Sequence, residues 1–354
     1  MRRQQGSRWG RRGLVAAVVA ALAAVALVLA PAWLHGTGAA FSATTASTGD
    51  ELATGRLQPP SGLTVTQTCA AAPAITQRTP SSSTGTASVT LPMPPGTAAG
   101  DVLVAHVGYH DRAVALTAPS GWTLLGQTTD SGNHVTSAVY WKVATAGEPS
   151  AVFGHPDGAS AVLAAGLTAF VGAREVAPQY GSATGSGTTA TTPSLTTTAT
   201  GVAVVHLLTK TREALPAPSG TTDLYGAVAA PGSGGVGVRG AVETSAGPGA
   251  TPSRSATGAE SSAWVTQALV LQRVRDTPSA ALSWTPSTSS WAGGYVLSRE
   301  VGGSTQATTM LPGVSTAGAA QGPLVNGTAY TFRLTTTGGT WRSSSVTAGL
   351  SPSC

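Results

Sequence analysis

The chain has 354 residues, with only 9% charged and 5% aromatic, against roughly 25% charged in an average globular protein. A composition dominated by Gly, Ala, Ser and Thr suits β-sheet with many turns and excludes helical bundles, which need charged faces and few glycines. The net charge of +5 resides in Arg2, Arg3, Arg8, Arg11 and Arg12; the other 14 basic residues (19 minus 5) balance 14 acidic ones, and a neutral body excludes nucleic acid as a partner.

Leu14 to Ala30 is an unbroken apolar run behind those arginines, and Pro31 and the small residues of GTGAAFSA follow it. Charged, apolar and small-residue regions in that order make residues 1–40 a signal peptide, cleaved near Ala39 to Ala43, or an N-terminal membrane anchor. Either exports the rest across a bacterial cytoplasmic membrane to the surface or the medium, because the arginines stay inside. Arg11-Arg12 fits an ordinary basic flank better than a twin-arginine signal, whose other positions do not match. Residues 41–58 have the composition of a flexible linker. Their Phe41, Thr44-Thr45, Thr48-Gly49-Asp50 and Ala53-Thr54-Gly55 resemble the processing region of camelysin-like exported bacterial surface proteins.

After Pro59-Pro60, Leu63, Val65, Gln67 and Cys69 alternate with Thr64, Thr66 and Thr68, the period of a half-buried strand. No partner for it follows nearby.

Residues 73–275 supply strand candidates at regular spacing: ASVTLP, DVLVAHVGYH, WTLLGQTT, TSAVYWKVA, AVFGH, AVLAAGLTAFVGA, GVAVVHLLTK, GVGVRGAVE and AWVTQALVLQRV. Turn clusters such as Pro94-Pro95-Gly96 and Pro156-Asp157-Gly158 separate them. Eight or more strands without an amphipathic helix predict a jelly-roll-like sandwich. APSGWTLLG and YWKVATAGEPSAVF resemble segments of secreted bacterial β-sandwich modules of unassigned function. The low-complexity stretches 181–200 and 245–262 have no core-forming pattern and are expected as solvated loops.

Beyond Ser279 the alternation returns, in SAALSW, GGYVLSRE, NGTAYTFRLTTT and VTAGL, with Gly302-Gly303, Asn326-Gly327 and Gly338-Gly339 as turns. Trp284, Tyr295 and the pair Leu324 and Tyr330 in LVNGTAY resemble the second-strand Trp, third-strand Tyr and corner of a fibronectin type III domain. Its first strand is missing upstream of Ser279, and PPSGLTVTQTC matches that opening. The resemblance implies an all-β chain of two β-sandwiches: a fibronectin type III-like domain in two pieces, 59–72 and 276–354, interrupted by the 73–275 insert. Asn326-Gly327-Thr328, formally a glycosylation sequon, is explained by the corner turn.

Two widely spaced cysteines in an exported chain read as one disulfide, Cys69–Cys354, with two free thiols as the alternative; zinc would need about four ligands. The fibronectin-like topology implies the same pairing, because it brings the far ends of the first and last strands to one pole.

Chemistry-bearing residues are sparse. His106 and His110 share a strand face, but no third metal ligand is visible. Asp130 and Asp157 sit in turn strings without a D-x-D-x-D calcium ladder. Glycines 232, 234 and 237, or 235, 237 and 240, satisfy G-x-G-x-x-G without a strand–turn–helix context. No P-loop, H-E-x-x-H or G-x-S-x-G motif occurs, and no catalytic residue, cofactor or metal site is expected. Trp122, Trp141 and Trp264 fall in strand strings, where the core is the commoner fate. Trp291 and Trp341 lie near turns; with Trp122 they are the candidate ligand-stacking residues. The leading expectation is a non-catalytic exported surface or matrix protein that meets a surface protein or glycan, touching the membrane only through its N-terminal segment. A carbohydrate-binding module is the alternative, and a hydrolase within the insert the third reading.

Overall fold

The computed structural model describes residues 55–158, 161–230, 234–245 and 247–354. The expectations placed on the leader and on residues 41–54 lie outside the described residues, as does Gly232. From Leu57 to Cys354 the chain forms one compact unit, all-β in its secondary structure. Strand β1 (Ser61–Ala70) carries the alternation of Leu63, Val65 and Gln67, half-buried, with exposed threonines.

The chain then builds β2 (Thr76–Gln77), β3 (Ser81–Thr86), β4 (Ser88–Leu91), β5 (Val102–Tyr109), β6 (Thr123–Thr129), β7 (Thr136–Val143), β8 (Ala151–Gly154) and β9 (Val162–Val171). These make a sheet in the order β2-β9-β5-β7-β6, with β3 also on β9, and a separate β4–β8 ribbon. Strand β5 is buried along its whole length because both of its faces are covered. Leu103, Ala105, Val107 and Tyr109 pack with Val89, Leu91 and Phe153 of the ribbon. Val102 and Val104 point the other way, into a second core.

That second core is shared with the next stretch: β10 (Gln179–Thr191), β11 (Thr196–Thr197), β12 (Val202–Thr211), β13 (Thr222–Ala229), β14 (Val236–Ser245), β15 (Gly249–Ala250) and β16 (Ser255–Leu271). Its sheet order is β10-β16-β12-β14-β13, with a β11–β15 ribbon, so it repeats the preceding stretch element by element. Ala118-Pro119-Ser120-Gly121 leads into β6 and Ala217-Pro218-Ser219-Gly220 into β13. Gly121 (φ 82°) and Gly220 (φ 79°) both take the left-handed conformation that the turn demands. Both strands then bulge at the same place, between Leu124 and Gly126 and between Asp223 and Tyr225. The insert is thus two copies of one β unit, packed through the faces of their main sheets.

The expectation of solvated loops at 181–200 and 245–262 is corrected along 181–191 and 255–262. Strand β10 covers Gln179–Thr191, and β16 begins at Ser255 and pairs with it. The reason is visible in the side chains along 181–191 and 255–262, which contribute little more than Ala190 and Ala256 to a small core with Leu208 and Leu215, so no apolar period shows there. Cross-strand hydroxyl pairs, Thr189–Thr257 at 2.9 Å and Thr191–Ser255 at 2.8 Å, do the rest.

The chain ends in β17 (Thr277–Thr285), β18 (Gly294–Val301), β19 (Ser304–Pro312), β20 (Gly318–Gln321), β21 (Tyr330–Gly338) and β22 (Trp341–Leu350). Strand β1 joins these, not the insert: the two sheets are β1-β17-β20 and β19-β18-β21-β22, a fibronectin type III-like arrangement. Val65 lies opposite Leu282, and Leu63 and Val65 pack on a core of Trp284, Tyr295, Leu297, Phe332 and Leu334. Trp284 and Tyr295 meet edge to face at 5.6 Å. At the corner, Tyr330 Oη accepts the Val325 N–H at 3.0 Å beside buried Leu324.

Cys69 and Cys354 are disulfide-bonded. Gln67 reinforces the closure: its Nε2 donates to Ser353 O at 3.0 Å and its Oε1 accepts the Ser353 N–H at 2.9 Å. Where β1 leaves for the insert and the chain returns, Ala72 N donates to Asp276 Oδ1 at 2.9 Å. Arg273 bridges the same two residues, donating to Ala72 O at 2.7 Å and pairing with Asp276 at 2.9 Å.

Candidate ligand-contact surface

Trp291 and Trp341 are 43% and 67% exposed and stand against each other, with ring centroids 6.5 Å apart at 89°. Trp341 opens β22 directly opposite Gly338. Gly338 has to be glycine, since a Cβ there would come within 2.9 Å of the Trp291 carbonyl oxygen and 3.0 Å of its ring. The tight β21–β22 hairpin therefore seats Trp291 and places Trp341 beside it. The two rings form a right-angled corner, not a planar row.

Trp122 is elsewhere. It is half-buried, meets Phe153 edge to face at 5.7 Å, and lines an apolar groove of about 450 Å³ with Val114, Leu124 and Tyr140. Burial pushes the Tyr140 phenol up to about 12. Trp141 packs against the core between the insert's sheets and Trp264 against the smaller core under β12. Of the three candidate stacking residues, the structure brings Trp291 and Trp341 together and leaves Trp122 apart.

His106 and His110 do not converge. His106 is wholly buried, with its Nε2 at 2.9 Å from Ser137 Oγ and 2.7 Å from Thr209 Oγ1. His110 lines a polar groove of about 420 Å³ with Asp130, His134 and Arg212. Asp130 organises its own turn, with Oδ1 accepting the N–H groups of His134 at 2.6 Å and Val135 at 2.8 Å. Burial pushes its carboxyl up, and those bonds with His134 outweigh this and hold it below the usual range. Asp157 sits 4.0 Å from Arg112. Gly237 and Gly240 lie within strand β14, and Gly240 makes room for the Tyr225 ring. Among the described residues no three His, Cys, Asp or Glu side chains are grouped to hold a metal ion.

One constellation has no contiguous signature. His106, Ser137, Thr209 and Gln267 come from four strands of both insert copies and are all wholly buried. The available signal is a polar residue inside an apolar run: His106 in DVLVAHVGY and Gln267 in AWVTQALVLQ. His206 is a contrast. Its two ring nitrogens are both engaged, Nδ1 by Thr192 Oγ1 at 2.8 Å and Nε2 by Glu243 Oε1 at 2.9 Å.

No protein-family model and no curated protein matches the chain. Among solved structures it is similar to a two-domain fibronectin type III segment of chicken tenascin, at 15% identity over 49% of this chain and 99% of that one, with a TM-score of 0.19. It is also similar to the FN1–FN3 domains of chicken CNTN1, at 10% identity over 83% of this chain and 98% of that one, with a TM-score of 0.19. Scores this low establish neither a family nor a shared function.

Proposed function

We propose that the protein is a non-catalytic, exported surface or matrix component: a fibronectin type III-like domain (59–72 and 276–354) that carries the duplicated 73–275 insert outward from the envelope. The Cys69–Cys354 disulfide is the observation that carries this reading, because such bonds persist in oxidising compartments. The test is location. Protease treatment of intact cells producing the full chain is expected to remove residues 57–354, and thiol labelling of the denatured, unreduced protein to find no free cysteine. Protection from protease together with two labelled thiols would overturn the reading.

The exposed Trp291–Trp341 corner favours glycan contact as the second reading, since solvent-facing indoles lose little entropy on stacking against a sugar ring. A glycan array is expected to give a saturable signal that Trp341→Ala abolishes. Signal unchanged in that variant, or none at all, sets the glycan reading aside and leaves the structural one.

A further inference from the structure

A hydroxyl, an imidazole and a carboxamide meet where the two insert copies pack. Ser137 Oγ on β7 donates to Gln267 Oε1 on β16 at 2.7 Å. His106 Nε2 stands 2.9 Å from that hydroxyl, and Thr209 Oγ1 donates to it at 3.0 Å. Gln267 Nε2 donates to Ser137 O at 3.0 Å and lies 3.4 Å from Tyr180 Oη, itself 2.9 Å from Thr128 Oγ1. Among the described residues His106 Nδ1 has no hydrogen-bond partner. Burial lowers the His106 pKa to about 3, so the ring is a neutral base at physiological pH.

The fold itself does not demand this polarity. The matched bulges align the two copies: Tyr140 lies opposite Leu124 and Ala105, and Ala241 opposite Asp223 and His206. Counting along the strands, the counterparts of His106 and Ser137 are Leu207 and Val238. His106 lies opposite Gly166 and Leu207 opposite Gln267, so Gln267 corresponds to Gly166. Thr209 corresponds to Gly108. At each of the four positions one copy carries a polar residue and the other does not: His106 and Ser137 of the first copy stand where the second has Leu207 and Val238, and Thr209 and Gln267 of the second stand where the first has Gly108 and Gly166. Burying the polar set costs desolvation that the apolar set avoids.

We propose that this cluster is a self-modification site, at which Ser137 and Gln267 condense to an ester that ties β7 of the first copy to β16 of the second. The Ser137 proton turns from Gln267 Oε1 to His106 Nε2, in the tautomer with hydrogen on Nδ1. Ser137 Oγ then bonds to Gln267 Cδ. The Cδ–Nε2 bond breaks, the amine takes the proton from the imidazolium, and ammonia leaves past Tyr180. The Ser137 O–H and the Gln267 C–N bond break while the ester C–O and one ammonia N–H bond form, so the electrons balance; no oxidant or cofactor enters. Holding nucleophile and amide in contact replaces a bimolecular encounter. The buried location keeps water from the product. The event happens once per chain without turnover, and it goes beyond the surface role proposed above without depending on it.

Tryptic peptide mapping of the reduced full chain tests this. Ser137 falls in the peptide 113–142 and Gln267 in 255–273. The expected result is a single joined species lighter than their sum by one ammonia, about 17 Da, which hydroxylamine separates. Ser137→Ala and Gln267→Met are expected to give the two peptides unjoined, and His106→Leu, which copies the residue of the other insert copy, to prevent or greatly slow joining. Circular dichroism of each variant confirms the fold. Wild-type protein that still yields separate peptides with an intact Gln267 carboxamide, after a week folded at 37 °C, overturns the proposal. So does 255–273 joined instead to 175–210, which would make Thr209 the nucleophile.

Discussion

Cys69 and Cys354 are separated by 285 positions in the chain and by 5.9 Å between Cα atoms. Their bond ties the end of the three-stranded sheet's first strand to a residue four positions beyond Leu350, where the four-stranded sheet's last strand ends. Closing so long a loop would contribute about 5–6 kcal/mol in the chain-entropy model. The Ala72–Asp276 and Arg273–Asp276 contacts already hold the ends of the insert together, so the actual gain is smaller. The double variant Cys69→Ser, Cys354→Ser is expected to lose about 2–4 kcal/mol in urea unfolding followed by tryptophan fluorescence. Hydrogen exchange should place that loss first in β1.

Acid should weaken the protein before its carboxylates titrate. The pKa of His106 is about 3 in the fold and near 6.5 ordinarily, because burial excludes the charged form. Between these values the unfolded chain binds a proton that the folded one refuses. Its contribution is therefore complete above about pH 6.5 and declines as pH falls, by about 2–3 kcal/mol at pH 4.5. His206, also lowered by burial, acts in the same direction. Denaturation midpoints between pH 7 and 4.5 should fall steeply in the wild type and less steeply in His106→Leu.

Close packing between the insert copies should tolerate no methyl at Gly166. A Cβ there would meet the Tyr225 ring at 2.0–2.3 Å, and that ring is buried. Gly166→Ala is expected to cost about 1–3 kcal/mol, with Tyr225 displaced. Gly147→Ala, in open space at φ +71°, should cost about 1 kcal/mol, from backbone strain alone. Thermal unfolding of the two variants checks the order.

The tryptophans of the C-terminal sheets should separate by burial. Trp284→Ala empties a packed core site and is expected to cost about 3–5 kcal/mol. Trp341→Ala removes an exposed ring and should stay within about 0.5 kcal/mol of the wild type. That difference is what makes the Trp341 variant a fair probe of binding. Chemical denaturation of both variants is the measurement.

Some features were legible because they are local. The alternation of Leu63 and Val65, and the Trp284, Tyr295 and Tyr330 positions, declare strand faces at a period of two. A signal for the internal repeat is also present, in Ala118-Pro119-Ser120-Gly121 and Ala217-Pro218-Ser219-Gly220, although it spans four residues and little beyond it is identical. Strands β10 and β16 were not legible along 181–191 and 255–262, since Thr, Ser and Gly pair through hydroxyls and backbone and leave no apolar rhythm. The Gly338-Gly339 turn was legible, but the perpendicular meeting of Trp291 and Trp341 was not, since it depends on Trp291 lying against Gly338 from a separate loop.

By itself the sequence determined an all-β chain and, in the strands with an apolar rhythm, which side chains share a face. It also supplied the two cysteines and the two turns that repeat. Only the tertiary structure decided that two insert copies face each other and that His106, Ser137, Thr209 and Gln267 meet between them. The physical reason is that a period of two encodes the face of a strand but not its partner. Partners are chosen by long-range backbone pairing and by the volumes that remain to be filled, and both depend on residues a hundred or more positions away.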